Sequence, residues 1–144
     1  MTTTPTDVLR KRIEPLFPFW YTLGMALDRV DGPGHAVLSL PMREALETRR
    51  AGVMHGGAIA ALIDTAAAAA LLTLREEDDT TWAGIATLDM NVSYLNAATT
   101  DMTAEARVLR SSRTLAFMQV DVRDTDGRLS AVSRATYIVV RKDG

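Results

Sequence analysis

Cysteine is absent from the 144 residues, histidine occurs twice, and aromatic side chains make up 6% of the chain. Without cysteine there is no disulfide scaffold, no thiol nucleophile and no thiolate metal site. The same absence fits a reducing compartment, so a cytoplasmic location is the expectation. Charge of one sign is also lacking: 16 Lys and Arg against 18 Asp and Glu leave a net −2, which gives no electrostatic footing for a nucleic-acid partner. The start of the chain is polar from Met1 to Asp7 and then basic at Arg10, Lys11 and Arg12. No apolar segment of the kind a secretory signal needs follows it. The one long hydrophobic run, Ala58 to Leu74, spans 17 residues and carries Asp64 near its middle. A carboxylate at that depth costs about 2.5–3.5 kcal/mol on insertion scales, so the run reads as a helix inside a soluble fold rather than a membrane span.

What is present is the composition of an ordinary globular protein, 47% apolar and 24% charged. At this length the chain forms a single domain, with 1–18 as an N-terminal segment and helix and 19–141 as the core. Asp7 to about Leu16 reads as a short helix capped by Thr6 or Asp7 and ended by Pro15 and Pro18. Leu23–Asp31 and His35–Leu40 read as strands about the turn Asp31-Gly32-Pro33-Gly34, with His35 an exposed residue beside it. Met42–Met54 is polar and irregular, a loop with one helical turn. The apolar helix that follows, ending near Leu74-Arg75, has five consecutive alanines at its centre, Ala66 to Ala70. Side chains this small let a covering sheet come close.

From Trp82 onward the pattern is that of strands. Leu88, Met90, Val92 and Tyr94 alternate with Thr87, Asp89, Asn91 and Ser93, predicting a half-buried strand with the first set inward. Met102–Val108, Arg113–Arg123 and Leu129–Val140 complete the set, the last two joined at Asp126-Gly127, a strong hairpin signal. The order predicts an α+β domain whose antiparallel sheet of five to six strands wraps one long central helix, preceded by a short N-terminal helix. Met25, Met54, Leu62, Phe117 and Met118 line an acyl tunnel or are simply core.

Chemistry concentrates in Gly52-Val53-Met54-His55-Gly56-Gly57 and in Asp64 inside the helix. Glycines at a helix start leave backbone N–H groups open to close approach, at the positive end of the helix dipole. Such a terminus favours an anionic oxygen, although two glycines there also serve as a plain turn into the helix. A carboxylate among Ala60, Ile63, Ala67 and Ala68 is costly to desolvate and is placed for chemistry rather than for stability, unless it sits on an exposed edge of the helix or is a structural Asp bonded to a neighbouring chain. Gly56 and Asp64 are eight residues apart, so about 12 Å of helix separates them. A reacting carbonyl has to lie about 3–3.5 Å from both its attacker and its oxyanion donor. One chain therefore does not supply both groups; two antiparallel copies of the helix do, which predicts a homodimer with shared sites.

His55-Gly56-Gly57-Ala58-Ile59-Ala60-Ala61-Leu62-Ile63-Asp64 resembles the signature of the hotdog-fold thioesterases of the phenylacetate-degradation (PaaI-like) type. Leu88–Leu95 is similar to the family's central strand and Gly127–Ala131 to its last hairpin. The resemblance runs from about Leu23 to Val140 and implies the hotdog fold, dimers that often pair again into tetramers, and hydrolysis of acyl-CoA without metal or bound cofactor. By the same resemblance Asp64 is the catalytic nucleophile or general base, and the Gly56 N–H polarises the thioester carbonyl with His55 beside it. Thr87 falls where a hydroxyl places the attacking water, or is an ordinary strand threonine. His55 more often orients such a loop than acts as a base. Gly57, Met54, Arg49 and Arg50 are the candidate substrate contacts. Arg49 stands six residues before His55, where the family usually has asparagine: either the loop is shifted, or the guanidinium replaces the amide and selects a substrate carboxylate or binds a CoA phosphate, or Arg49 and Arg50 are simply solvated. Two other readings share the fold: a non-catalytic acyl-CoA-binding module, and a dehydratase or hydratase using a histidine acid/base.

Overall fold

The computed structural model describes residues 2–13 and 17–142. Helix α1 (Pro5–Ile13) and helix α2 (Pro18–Leu23) precede strands β1 (Ala26–Gly32) and β2 (His35–Leu40). A 3-10 turn (Glu44–Leu46) leads to the long helix α3 (Gly56–Leu72), followed by β3 (Trp82–Tyr94), β4 (Met102–Ser111), β5 (Leu115–Arg123) and β6 (Leu129–Arg141). The six strands form one antiparallel sheet in the order β1-β2-β4-β5-β6-β3. Helix α3 lies against β2, β4 and β5, the hotdog arrangement expected from the sequence.

Small residues on both sides set that contact. Ala66, Ala67, Ala69 and Ala70 of α3, and Ala36, Ala104, Ala106 and Ala116 of the strands it packs on, are all 0% exposed. A helix without side-chain bulk sits close to its sheet, and the larger Leu62, Ile63, Met102 and Met118 fill the space around the seam.

Several local expectations shift. The α1 cap is Thr4, not Thr6 or Asp7: the Asp7 N–H donates to Thr4 Oγ1 at 3.2 Å and the Thr4 N–H donates back to Asp7 Oδ2 at 3.1 Å. This is a capping box that puts Pro5 in the first helical position, where its missing N–H costs nothing. The expected end of this helix, at Pro15 and Leu16, falls outside the described residues. Pro18 starts a second short helix instead of terminating the first. α2 buries Trp20 against the Phe17 ring, 4.9 Å between centroids, and closes on Gly24 at φ 85°. Strand β1 consequently begins at Ala26 rather than Leu23. His35 is the first residue of β2, not an exposed loop residue, and its Nε2 lies 2.7 Å from Glu105 Oε1.

Strand β3 departs furthest from its predicted pattern. It starts five residues earlier than the alternation suggested, at Trp82, and an irregularity between Thr87 and Asp89 makes Leu88 an extra residue in the pairing with β6. Such a bulge reverses the phase of the alternation. Thr87 therefore shares the helix-facing side with Met90, Val92 and Tyr94, while Leu88 is left 56% exposed. Phe117 is likewise no part of the core: it alternates out of phase with Ala116 and Met118 on β5 and is 44% exposed. Met25, Met54, Leu62 and Met118 are buried. Among the described residues no helix is long and apolar enough to cross a membrane.

Candidate active site

Helix α3 begins at a tightly held corner. The loop ahead of it closes through the Thr48 N–H to the Val53 carbonyl (2.8 Å), and the His55 N–H donates to the Leu46 carbonyl (2.7 Å). Gly52 turns the loop at φ +77°, a conformation other residues adopt at a cost. His55 is the N-cap: its Nδ1 accepts the Gly57 N–H at 2.8 Å. With Nδ1 engaged as acceptor, a neutral His55 ring carries its proton on Nε2, and the side chain ties the corner to the first turn of α3. The Gly57 N–H is thus already committed, whereas the Gly56 N–H has no acceptor among the described residues.

Neither glycine is there for an unusual backbone angle; both are there for room. A Cβ on Gly56 would sit 3.3 Å from the Tyr94 ring, whose hydroxyl donates to the Gly56 carbonyl at 2.8 Å, and a Cβ on Gly57 would come 2.9 Å from His55 Nδ1. Beside this corner lies a cavity of about 280 Å³ whose walls include Val53, Met54, Ile59, Tyr94 and Ala98. Met54, a predicted substrate contact, is buried in that wall. Arg49 and Arg50 are exposed in the loop between Glu47 and Met54, at the amino end of α3 and away from Asp64.

Asp64 lies two turns further along α3 and is half-exposed rather than buried, because the strand beside it is the edge of the sheet. The desolvation expected from its apolar neighbours is correspondingly smaller. Two hydroxyls hold its carboxylate. Thr87 Oγ1 donates to Oδ1 at 2.7 Å, and the Tyr137 hydroxyl donates to the same Oδ1 and faces the Asp64 carbonyl oxygen at 2.6 Å. Thr87 and Tyr137 are direct cross-strand neighbours on β3 and β6, so one rung of the ladder supplies both donors. Both act on Oδ1, and Oδ2 accepts no hydrogen bond among the described residues. The carboxylate is oriented with one oxygen tied down and one free.

Tyr137 was not among the residues singled out from sequence. The signal was there in part: along β6 the inward positions Ala131, Ser133, Ala135, Tyr137 and Val139 include one large side chain with a polar tip. Burial, and then the hydrogen bond to Asp64, push the Tyr137 hydroxyl above its ordinary range. A raised value means the fold favours the protonated phenol, so this contribution to stability is intact below the unfolded value of about 10 and is lost as pH rises beyond it. The melting temperature of the protein is accordingly expected to fall more steeply above pH 10 than that of Tyr137→Phe. Parallel slopes for the two proteins would contradict the buried, protonated phenol.

A thioesterase-superfamily model matches residues 51–131, which hold the His55 corner, α3, Asp64, Thr87 and the start of β6. The chain belongs to the thioesterase superfamily. Human acyl-coenzyme A thioesterase 13 is 33% identical over 140 residues, covering 93% of this chain and 96% of that protein. A thioesterase family protein from Silicibacter pomeroyi superposes with a TM-score of 0.82 at 27% identity over 96% of this chain and 99% of its own. The Escherichia coli PaaI protein from the phenylacetic acid degradation operon gives the same TM-score at 16% identity over 97% and 96%, a likeness of fold. This thioesterase-superfamily member is a thioester hydrolase of the hotdog fold. Among its described residues no group of three or more His, Cys, Asp or Glu is placed to hold a metal ion.

Proposed function

We propose that the chain hydrolyses acyl-CoA thioesters to a free acid and CoA, at two equivalent sites each completed by a second copy of the chain. The observation that carries this reading is the oriented carboxylate: Asp64 is fixed through Oδ1, free at Oδ2, and set beside a sheet edge that its own chain leaves unpaired. The acyl-CoA class is taken from the name of the human relative.

In this mechanism Asp64 Oδ2 takes a proton from water as the water attacks the thioester carbonyl. The tetrahedral intermediate then breaks its C–S bond, the CoA thiolate leaving with that proton. Alternatively Oδ2 attacks the carbonyl itself, expels the CoA thiolate and forms a mixed anhydride that water then opens to the acid and the restored carboxylate. Either way the carbonyl oxygen gains negative charge and needs a preorganised donor. The Gly56 N–H, at the positive end of α3, is that donor, but helix geometry keeps it about 12 Å from Asp64 of the same chain. The partner's Gly56 supplies it. The Thr87 proton is spent on Asp64, so Thr87 positions the carboxylate and offers its lone pairs to the water. Arg49 and Arg50, exposed near the amino end of α3, are available to CoA phosphates.

Strand β3 supports the pairing. Long edge strands are normally protected by charge, proline or cover, yet of its 13 residues only Asp89 is charged, and Leu88 and Tyr94 are 56% and 55% exposed. Thr87 marks where β3 passes Asp64, and Tyr94 where it passes Gly56. Antiparallel pairing of two β3 strands that brings those points together, with the extra residue at Leu88 allowed for, centres on Asn91. The outward Phe117 offers a surface on which such dimers pair again.

Two alternatives fare worse. A histidine-based dehydratase lacks a placed acid/base. The partner's His55, which the shared site brings up with its Gly56, has Nδ1 occupied by the Gly57 N–H. His35 lies beyond the opposite end of α3, where the Gly34 N–H bonds Thr73 Oγ1, and is already engaged by Glu105. A purely binding module has no need of a carboxylate oriented by two hydroxyls. The test combines thiol release from a panel of acyl-CoAs with sedimentation of the protein and of Asn91→Cys. Hydrolysis, a dimer or larger, and a covalent dimer of the oxidised Asn91→Cys are expected. A folded monomer that turns over substrate would defeat the shared site.

A further inference from the structure

The function does not account for the largest of the described cavities. It measures about 550 Å³ and lies between α1, the end of α3 and the first residues of β3. Its walls are Leu9, Ile13, Phe17, Leu72, Trp82 and Ile85, with Arg12, Arg75 and Glu77 at the rim. That volume is in the range of pockets that take small organic ligands. At the rim, Arg12 lies 3.5 Å from Glu77 and donates to the Arg75 carbonyl, and the Arg75 Nε donates to the Asp79 carbonyl at 3.2 Å. The walls inside that rim are hydrocarbon.

The cavity is also in line with the catalytic carboxylate. Asp64, Ala68 and Leu72 follow at four-residue spacing on one face of α3, and all three are only partly buried, whereas Ala66, Ala67, Ala69 and Ala70 around them are fully covered. On the strand side the path runs from Thr87 to Ile85 and Gly84, alternate and adjacent residues of β3. Ala68 lies midway with a single methyl group, so the face stays low between Asp64 and the cavity. Eight residues of helix span about 12 Å, the reach of a medium-length acyl chain.

We infer that this cavity receives the alkyl tail of the thioester, which makes the substrate class medium-chain acyl thioesters with an apolar tail rather than short ones. The inference rests on the acyl-CoA hydrolase reading for the position of the reacting carbonyl, but tail binding is measurable without turnover. Each additional buried methylene raises kcat/KM about fourfold until the cavity is full. Helix α1 then acts as the stop that sets chain length.

The experiment uses the full chain. Trp82 is in the cavity wall and Trp20 is the other tryptophan, so Trp20→Phe leaves Trp82 as reporter. Titration with S-butyl-, S-octyl- and S-decyl-CoA thioethers, which resist hydrolysis, is expected to change Trp82 fluorescence, with affinity rising with length. In parallel, kcat/KM across butyryl- to dodecanoyl-CoA is expected to climb and then level off. Ile85→Trp is expected to move that plateau at least two carbons shorter. Ala68→Leu, which obstructs the path without touching the cavity wall, is expected to lower the octanoyl-to-butyryl ratio of kcat/KM at least tenfold. Hydrolysis with no dependence on chain length, a silent Trp82 and unaffected variants would overturn the tail site and leave the hydrolase standing. Length-dependent thioether binding with no hydrolysis of any thioester would do the reverse.

Discussion

Asp64→Asn is expected to lower kcat about 10²–10⁴-fold with every acyl-CoA the wild-type protein hydrolyses, while KM changes by no more than a few-fold. The substitution is nearly isosteric, and an amide oxygen at Oδ1 still accepts from Thr87 and Tyr137. The orientation of the side chain and the stability of the fold are therefore retained, and what is lost is the basicity and nucleophilicity of the second oxygen. A KM that holds while kcat collapses is the signature of a group that acts in the transition state alone. A single turnover in oxygen-18 water bears on the two forms of the mechanism: label in Asp64 identifies an anhydride opened at the aspartyl carbon, whereas direct attack by water places the label in the product acid alone. Wild-type turnover by Asp64→Asn would remove this residue from the chemistry.

A mixture of two inactive variants is expected to recover activity. Gly56→Pro removes the N–H proposed as oxyanion donor at the first position of α3, where proline is compatible with the helix. Loss of such a donor costs about 10²–10³ in kcat. In a heterodimer of Asp64→Asn and Gly56→Pro, one site carries both defects and the other carries neither. Random reassociation makes about half of the dimers mixed, so about a quarter of wild-type activity returns. Were Gly56 and Asp64 of one chain to serve the same carbonyl, mixing would restore nothing. Because the ring of Tyr94 stands 3.3 Å from where the new Cβ goes, circular dichroism of Gly56→Pro is the control for a displaced helix end.

The parts of this architecture visible in sequence are those governed by local periodicity and spacing. The central helix, its alanine core, the Asp-Gly hairpin between β5 and β6 and the eight-residue interval from Gly56 to Asp64 are all local properties, and the structure reproduces them. Thr87, carried by resemblance, is in contact with Asp64. What escaped depends on long-range contact. Leu88 breaks the alternation of β3 because a bulge adds a residue that period-two counting cannot place. Tyr137 reads as an inward strand residue, but which helix residue meets its hydroxyl follows from sheet order, 73 positions away in sequence. The partial exposure of Asp64 follows from β3 being at the sheet edge, a topological fact to which its apolar neighbours in sequence give no clue. Pro18 carries two opposite local meanings, a stop for the helix before it and a first helical position for the one after, and only the packing of Trp20 decides for α2.

The methyl-lined seam between α3 and the sheet also constrains how this protein can diversify. Every residue there sits at the lower limit of side-chain size and at zero exposure, so enlargement strains the structure and reduction to glycine loosens the helix. Drift toward new acids is thereby channelled away from the centre of the molecule and onto its periphery, the N-terminal helix, the outer strand and the arginine-bearing loop. The scaffold stays fixed while its margins are free to change what it recognises.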